Sequence, residues 1–189
     1  MSEKQLNLGL FMMGTGHHIA SWRLPSVPRN AAEDFEFFNR IAAIAEKGKL
    51  DMLFFSDGLA FDKHSHPAEL VRFDPLTIIA ALSVTTKNIG LVSTATTTYN
   101  EPFHLARKLL STDHLNGGRT GWNLVTSYYQ EEASNFSMKK HLDHSVRYQR
   151  AEEFVEVVKG LWNSWEDGAI INDQESGKYF DEHKLHSLN

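Results

Sequence analysis

The sequence predicts an α/β protein of parallel strands, each followed by a helix, and three features carry that expectation. Short apolar runs alternate four times with longer segments whose apolar residues recur at three- and four-residue steps. Each run stops at glycine, hydroxyl or carboxylate residues, as strands do where they deliver the chain to the working face of a sheet. The connections fit right-handed parallel crossovers. Four such units make either a small open sheet or half of an eight-unit barrel, which takes about 250 residues.

The first strand is expected over residues 5–12, Gln-Leu-Asn-Leu-Gly-Leu-Phe-Met, and it runs into the loop Gly14-Thr-Gly-His-His18. A helix over residues 31–47 follows, with Phe35, Phe38, Ala42 and Ala45 as its buried stripe and Gly48 as its stop. Residues 50–55 form a second apolar strand that closes on Ser56-Asp57-Gly58. A carboxylate at a strand tip is costly without a partner or a function. Asp74-Pro75 gives a helix cap and first turn, with Leu76, Ile79, Ala80 and Leu82 on the inner face. Ile89 to Val92 is the third strand, and the hydroxyl run Ser93 to Thr98 reads as too polar for core. Pro102 opens a helix that Asn116-Gly-Gly118 ends. The fourth strand covers residues 120–125. The polar segment 127–144 behind it is too long for an ordinary connection and so has the look of a functional one. A last helix over residues 145–162 sets Tyr148, Ala151, Val155, Val158 and Leu161 or Trp162 on one side, and residues 166–189 read as a polar tail without periodicity.

Composition narrows the function. A formal charge of −5 provides no basic field for nucleic acid or an anionic membrane surface. With no cysteine there are no disulfides, thiolate zinc sites or cysteine nucleophiles. The opening residues lack an apolar run that would serve as a signal peptide or membrane helix, so a cytoplasmic address is expected. The pair Gly14-x-Gly16 leads into a loop rather than a helix, which argues against a dinucleotide fingerprint.

Several blocks together resemble one family. They are Gly16-His-His-Ile-Ala with Trp22-Arg23, Glu46-Lys-Gly-Lys-Leu-Asp51 with Phe55-Ser-Asp57, Asp74-Pro75, and Thr97-Thr-Tyr-x-x-Pro102. Further along come Leu115-Asn-x-Gly-Arg119, Gly121-Trp-Asn-Leu-Val-Thr-Ser127, His144-x-x-Arg-Tyr148 and Leu161-Trp with Ser164-Trp-Glu-Asp167. In this order they resemble the bacterial-luciferase-like FMN-dependent monooxygenases, in the branch of nitrilotriacetate, EDTA, dibenzothiophene-sulfone and long-chain alkane monooxygenases.

That resemblance implies a TIM (β/α)8 barrel of the luciferase-like type, of which this chain holds the first four βα units as the N-terminal half of a single domain. It implies a two-component reaction in which a separate NAD(P)H:FMN oxidoreductase supplies reduced FMN, and O2 and a small organic substrate are consumed. A truncated form with two open sheet edges is then expected, one that self-associates or loses tight flavin binding. The resemblance also implies that the family's remaining phosphate-binding loop falls beyond Asn189.

Residue by residue, the resemblance implies flavin contacts at Asp57, Thr94 and Ser127. His144 and Tyr148, four apart on one face at the start of the last helix, are implied to meet the ribityl and phosphate part. Without the resemblance, Asp57 reads equally as a loop cap, Thr94 as a packed strand residue, Tyr148 as core and His144 as a surface cap. Of His17 and His18, one is implied to line the substrate side of the flavin, and His18 is preferred. A metal at that histidine pair lacks a third ligand at suitable spacing, so no metal is expected. A non-catalytic flavin-binding or assembly protein of the same fold is the competing reading. A hydrolase using Asp57 as base lacks both a Gly-x-Ser-x-Gly elbow and a paired carboxylate.

Overall fold

The computed structural model describes residues 5–188. Four parallel strands, β1 (Gly9–Met12), β2 (Met52–Phe55), β3 (Gly90–Thr96) and β4 (Thr120–Val125), pair in chain order. Their register aligns Met12 with Phe55, Phe55 with Ser93, and Thr96 with Val125, so β3 and β4 reach further than β1 and β2. Helices α1 (Phe35–Lys47), α3 (Pro75–Ser83) and α4 (Pro102–Asn116) are the three crossovers between successive strands, and α6 (His144–Trp162) follows β4. Single turns α2 (Pro67–Leu70) and α5 (Glu132–Asn135) lie in the loops at the carboxyl ends of β2 and β4. This is the α/β arrangement of parallel strands that the sequence predicts, and it matches part of a TIM barrel.

Two apolar clusters fill the space between sheet and helices. Phe38, Ala42 and Ala45 of α1 and Ile78, Ile79 and Leu82 of α3 close over Leu53, Phe55 and Leu91. Leu105, Ala106 and Leu109 of α4 join Phe154 and Val158 of α6 against Ala95. Alternation along β2 explains the first cluster: Leu53 and Phe55 are buried, while Met52 on the opposite face is 42% exposed.

Local signals set most helix ends. Asp74 Oδ1 accepts from Thr77 N at 2.9 Å with Pro75 in the first turn, and Gly117, at φ +69°, ends α4 in the left-handed region that costs glycine nothing. Helix α1 starts later than its predicted residue 31, because Asp34 accepts from Glu36 N at 3.0 Å and caps it. Ala31 and Ala32 are buried all the same, in the turns before the cap.

Three expectations are corrected. The hydroxyl run is core: β3 extends through Thr96, and Ser93, Thr94, Thr96, Thr97 and Thr98 are all buried. Hydrogen bonds to β4 and the residues after it make that possible. Asn123 Nδ2 donates to Thr94 Oγ1 at 2.9 Å, Ser127 Oγ to Thr96 Oγ1 at 2.9 Å, and Thr98 Oγ1 to the Thr126 carbonyl at 2.6 Å. Helix α6 buries Ala151 and Val158 as predicted, but with Arg147 and Phe154 inward in place of Tyr148 and Val155, and Tyr148 is 52% exposed. The polar tail is also not shapeless, because residues 165 and 185, and 170 and 180, form antiparallel bridges. Among the described residues, no helix is long and apolar enough to cross a membrane.

Candidate functional site

The exits of β2, β3 and β4 converge. Asp57 leaves β2 and is held by its own loop: Oδ1 accepts from Gly58 N at 2.9 Å, and Arg72 Nε lies 3.6 Å away. Arg72 Nη2 also donates to the Gly58 carbonyl at 2.6 Å, which fixes the turn. Burial pushes the Asp57 carboxyl above its ordinary range, further raised by Asp74 and Glu132, while Arg72 and the Gly58 amide pull it back. Thr94 and Thr96 from β3 and Ser127 beyond β4 complete the wall. Together with Asp57, Glu132 and Tyr148 they line a cleft of about 340 Å³, inside the roughly 300–1,000 Å³ range of small-ligand sites. Asp57 and Thr94 also border a larger opening of about 650 Å³ that runs between α3 and α4. The smaller cleft is the better candidate, because the exits of three strands meet in it.

The long connection after β4 is stitched across this cleft. Its one-turn helix α5 carries Glu132, 2% exposed, whose Oε1 accepts from Leu59 N at 3.4 Å, while Asn135 Nδ2 donates to the Leu59 carbonyl at 2.7 Å. Phe136 stacks on Tyr99 with ring centroids 4.5 Å apart, and the Tyr99 hydroxyl bonds His141 Nδ1. The segment thus links the exit loops of β2 and β3. Glu132 Oε2 is buried with no hydrogen-bond partner, an orphaned acceptor at the edge of the cleft. Tyr128 also borders the cleft, and its phenol is pushed up to about 12, first by a hydrogen bond with Tyr129 and then by burial, so it stays uncharged at neutral pH.

Asp57, Thr94, Ser127 and Tyr148 therefore share one cleft. His144 stacks on Tyr148 with centroids 4.5 Å apart, at the exposed start of α6. His17 and His18 lie in the β1 exit loop, exposed and outside this lining. His17 Nε2 donates to the Phe11 carbonyl at 2.9 Å, and His18 Nδ1 accepts from Ala20 N at 3.1 Å. Among the described residues, no group of three or more His, Asp or Glu side chains is placed to hold a metal. Sequence reasoning missed Arg72, Thr96, Glu132 and Arg147. For Glu132 the available signal was an acidic pair, Glu131-Glu132, inside a connection already marked as functional.

A profile of luciferase-like monooxygenases matches residues 14–187. The chain belongs to that family. This luciferase-like chain is 56% identical over 187 residues to N-acetyl-S-(2-succino)cysteine monooxygenase of Bacillus subtilis (strain 168), covering 99% of itself and 42% of the relative. It is 43% identical to nitrilotriacetate monooxygenase component A of Aminobacter aminovorans, covering 100% of itself and 44% of the relative. Among solved structures, that of a long-chain alkane monooxygenase superposes with a TM-score of 0.87 at 37% identity, covering 97% of this chain and 45% of that one. A riboflavin lyase with modified FMN and riboflavin gives 0.88 at 34% identity, covering 98% and 44%. The luciferase-like chain thus spans less than half the length of these relatives.

Proposed function

We propose that this chain forms one wall of an FMN site in an enzyme that uses reduced FMN and O2 to oxygenate a small organic substrate. The observation that carries the reading is the single cleft shared by Asp57, Thr94 and Ser127, side chains from three different strand exits. An FMN-sized ligand needs uncharged donors and acceptors around its ring and ribityl chain, and Thr94, Thr96, Ser127 and Tyr128 supply them. The orphaned Glu132 Oε2 fits a ligand rich in hydroxyl and N–H donors.

When bound, the flavin supplies the redox chemistry, and the chain's part is to orient it and keep water out. Asp57 accepts hydrogen bonds from the ligand at the β2 exit. Thr94, whose hydroxyl proton is free among the described residues, donates to its carbonyls, Ser127 Oγ, whose proton goes to Thr96, accepts from it, and His144 with Tyr148 receives its ribityl and phosphate part at the start of α6. His18, or His17 beside it, faces the substrate from the β1 exit loop. Reduced FMN comes from a separate NAD(P)H:FMN oxidoreductase, and the protein works as a cytoplasmic homo-oligomer. The first substrate to offer is N-acetyl-S-(2-succino)cysteine, the thioether for which the 56%-identical relative is named.

The test uses the intact protein with a flavin reductase, NADH, FMN and air, following loss of the thioether by mass spectrometry. Flavin-dependent consumption is expected. Tight FMN binding without turnover of this or related thioethers, amines and alkanes would instead make the protein a flavin carrier.

A further inference from the structure

Arg147 is the one buried guanidinium or ammonium side chain among the described residues, and no carboxylate there is in ion-pair contact with it. It sits in the first turn of α6, 8% exposed, one residue before Tyr148 of the cleft. Its Nη1 donates to the Ser127 carbonyl in a close contact and to the Thr126 carbonyl at 3.4 Å, while Nε has no partner. Helix α6 is thereby clamped to the exit of β4.

The clamped residue is unusual. Ser127 has φ +60°, in the left-handed region disfavoured for any residue with a Cβ; Lys49, Ser137 and Asn172 share that region at exposed positions, whereas Ser127 is buried. Two carbonyls drawn to one cation, with Ser127 Oγ donating to Thr96 Oγ1 on the neighbouring strand, hold it in place. An arginine stays charged in any protein interior, and a charge withheld from water acts over a longer distance than one in solvent. The other charges around the cleft are accounted for. Asp57 has Arg72 beside it, while Glu132 is buried and opposes the Arg147 field.

We propose that Arg147 is a positioning residue with an electrostatic duty: it holds Ser127 in its left-handed turn and biases the cleft toward the anionic, reduced form of a bound flavin. The inference rests on the FMN reading above. Reduced FMN carries a negative ring charge at neutral pH and the oxidised ring carries none, so a fixed cation behind Ser127 favours the reduced ligand selectively.

The intact protein is titrated anaerobically with oxidised and with reduced FMN, in the parent and in Arg147→Gln, Arg147→Lys and Glu132→Gln. For Arg147→Gln the ratio of reduced to oxidised affinity is expected to fall about tenfold, or about 30 mV in the midpoint potential of a two-electron couple. Arg147→Lys keeps the charge, so it weakens both forms but holds the ratio. Glu132→Gln moves the ratio the other way. To separate charge from folding, the Arg147→Gln comparison is repeated on a Ser127→Gly background, where glycine adopts φ +60° without the clamp. That pair should melt at similar temperatures yet still differ in the ratio. An unchanged ratio in Arg147→Gln, or failure of both arginine-to-glutamine variants to fold, would overturn the inference while leaving the FMN reading intact. A parent that binds neither form of FMN would sink the reading itself.

Discussion

At the scale of single residues, Asp57 carries opposed effects on stability and function. Burial is the largest influence on its carboxyl and raises its pKa above the ordinary 3.8, so the folded state holds the proton more tightly than the unfolded chain. Stability from this group is therefore present at low pH and falls as pH rises from about 3.8 through the folded value. Asp57→Asn removes that charge, and we expect the variant to melt no lower than the parent at pH 7 while binding FMN at least tenfold more weakly, a loss of about 1.4 kcal/mol. A variant that binds normally would detach Asp57 from the ligand. The sequence placed this carboxylate at a strand tip, but not its partner Arg72, fifteen residues on in a loop, or Glu132, beyond β4. No spacing rule links positions so far apart, because the fold alone brings them together.

At the scale of elements, one carboxylate ties a helix to a strand. Glu46 at the end of α1 accepts from the backbone N–H groups of Lys87, Asn88 and Ile89 at 2.9, 2.5 and 3.0 Å, tying that helix to the start of β3. Burial pushes its carboxyl up, but the three N–H groups, with Arg119 behind them, outweigh it and hold the pKa below the ordinary 4.5. A depressed acid contributes stability above its unfolded pKa that is lost as pH falls through the folded value. Glu46→Gln should cost about 0.5–1 kcal/mol at pH 7 in urea unfolding, since solvent screens this carboxylate and the amide oxygen still accepts, with the difference shrinking below pH 4.5 as the parent carboxylate is protonated. Leu53→Ala in β2, fully buried between α1 and α3, should cost about 2–5 kcal/mol by the same measurement. Strand and helix alternation was readable here because apolar periodicity is local. On α6 the sequence placed Ala151 and Val158 inward, but Arg147, a charged residue, occupies a buried position that apolar periodicity assigns to its neighbour Tyr148.

At the scale of the whole chain, the sheet is covered on one face only among the described residues. Helices cover one side of it, while Phe11 and Met52 stand 39% and 42% exposed, and β1 and β4 are its two edges. Exposed edges and apolar sheet faces recruit further strands or chains. Expressed as these 189 residues alone, the chain should elute in size-exclusion chromatography with light scattering well above its 21.5 kDa monomer mass. A monodisperse 21.5 kDa species would show that this face is tolerated in water.

By itself the sequence determined the strand–helix order, most helix caps and the polar strand tips, because each rests on neighbours within a few positions. It also carried the family's blocks. Only the tertiary structure decided that the hydroxyl run of β3 is buried, that α5 closes over the cleft with Glu132, and that Arg147 clamps Ser127. Those outcomes depend on hydrogen bonds between residues 20 to 73 positions apart, whose free energy exists only once the sheet has formed.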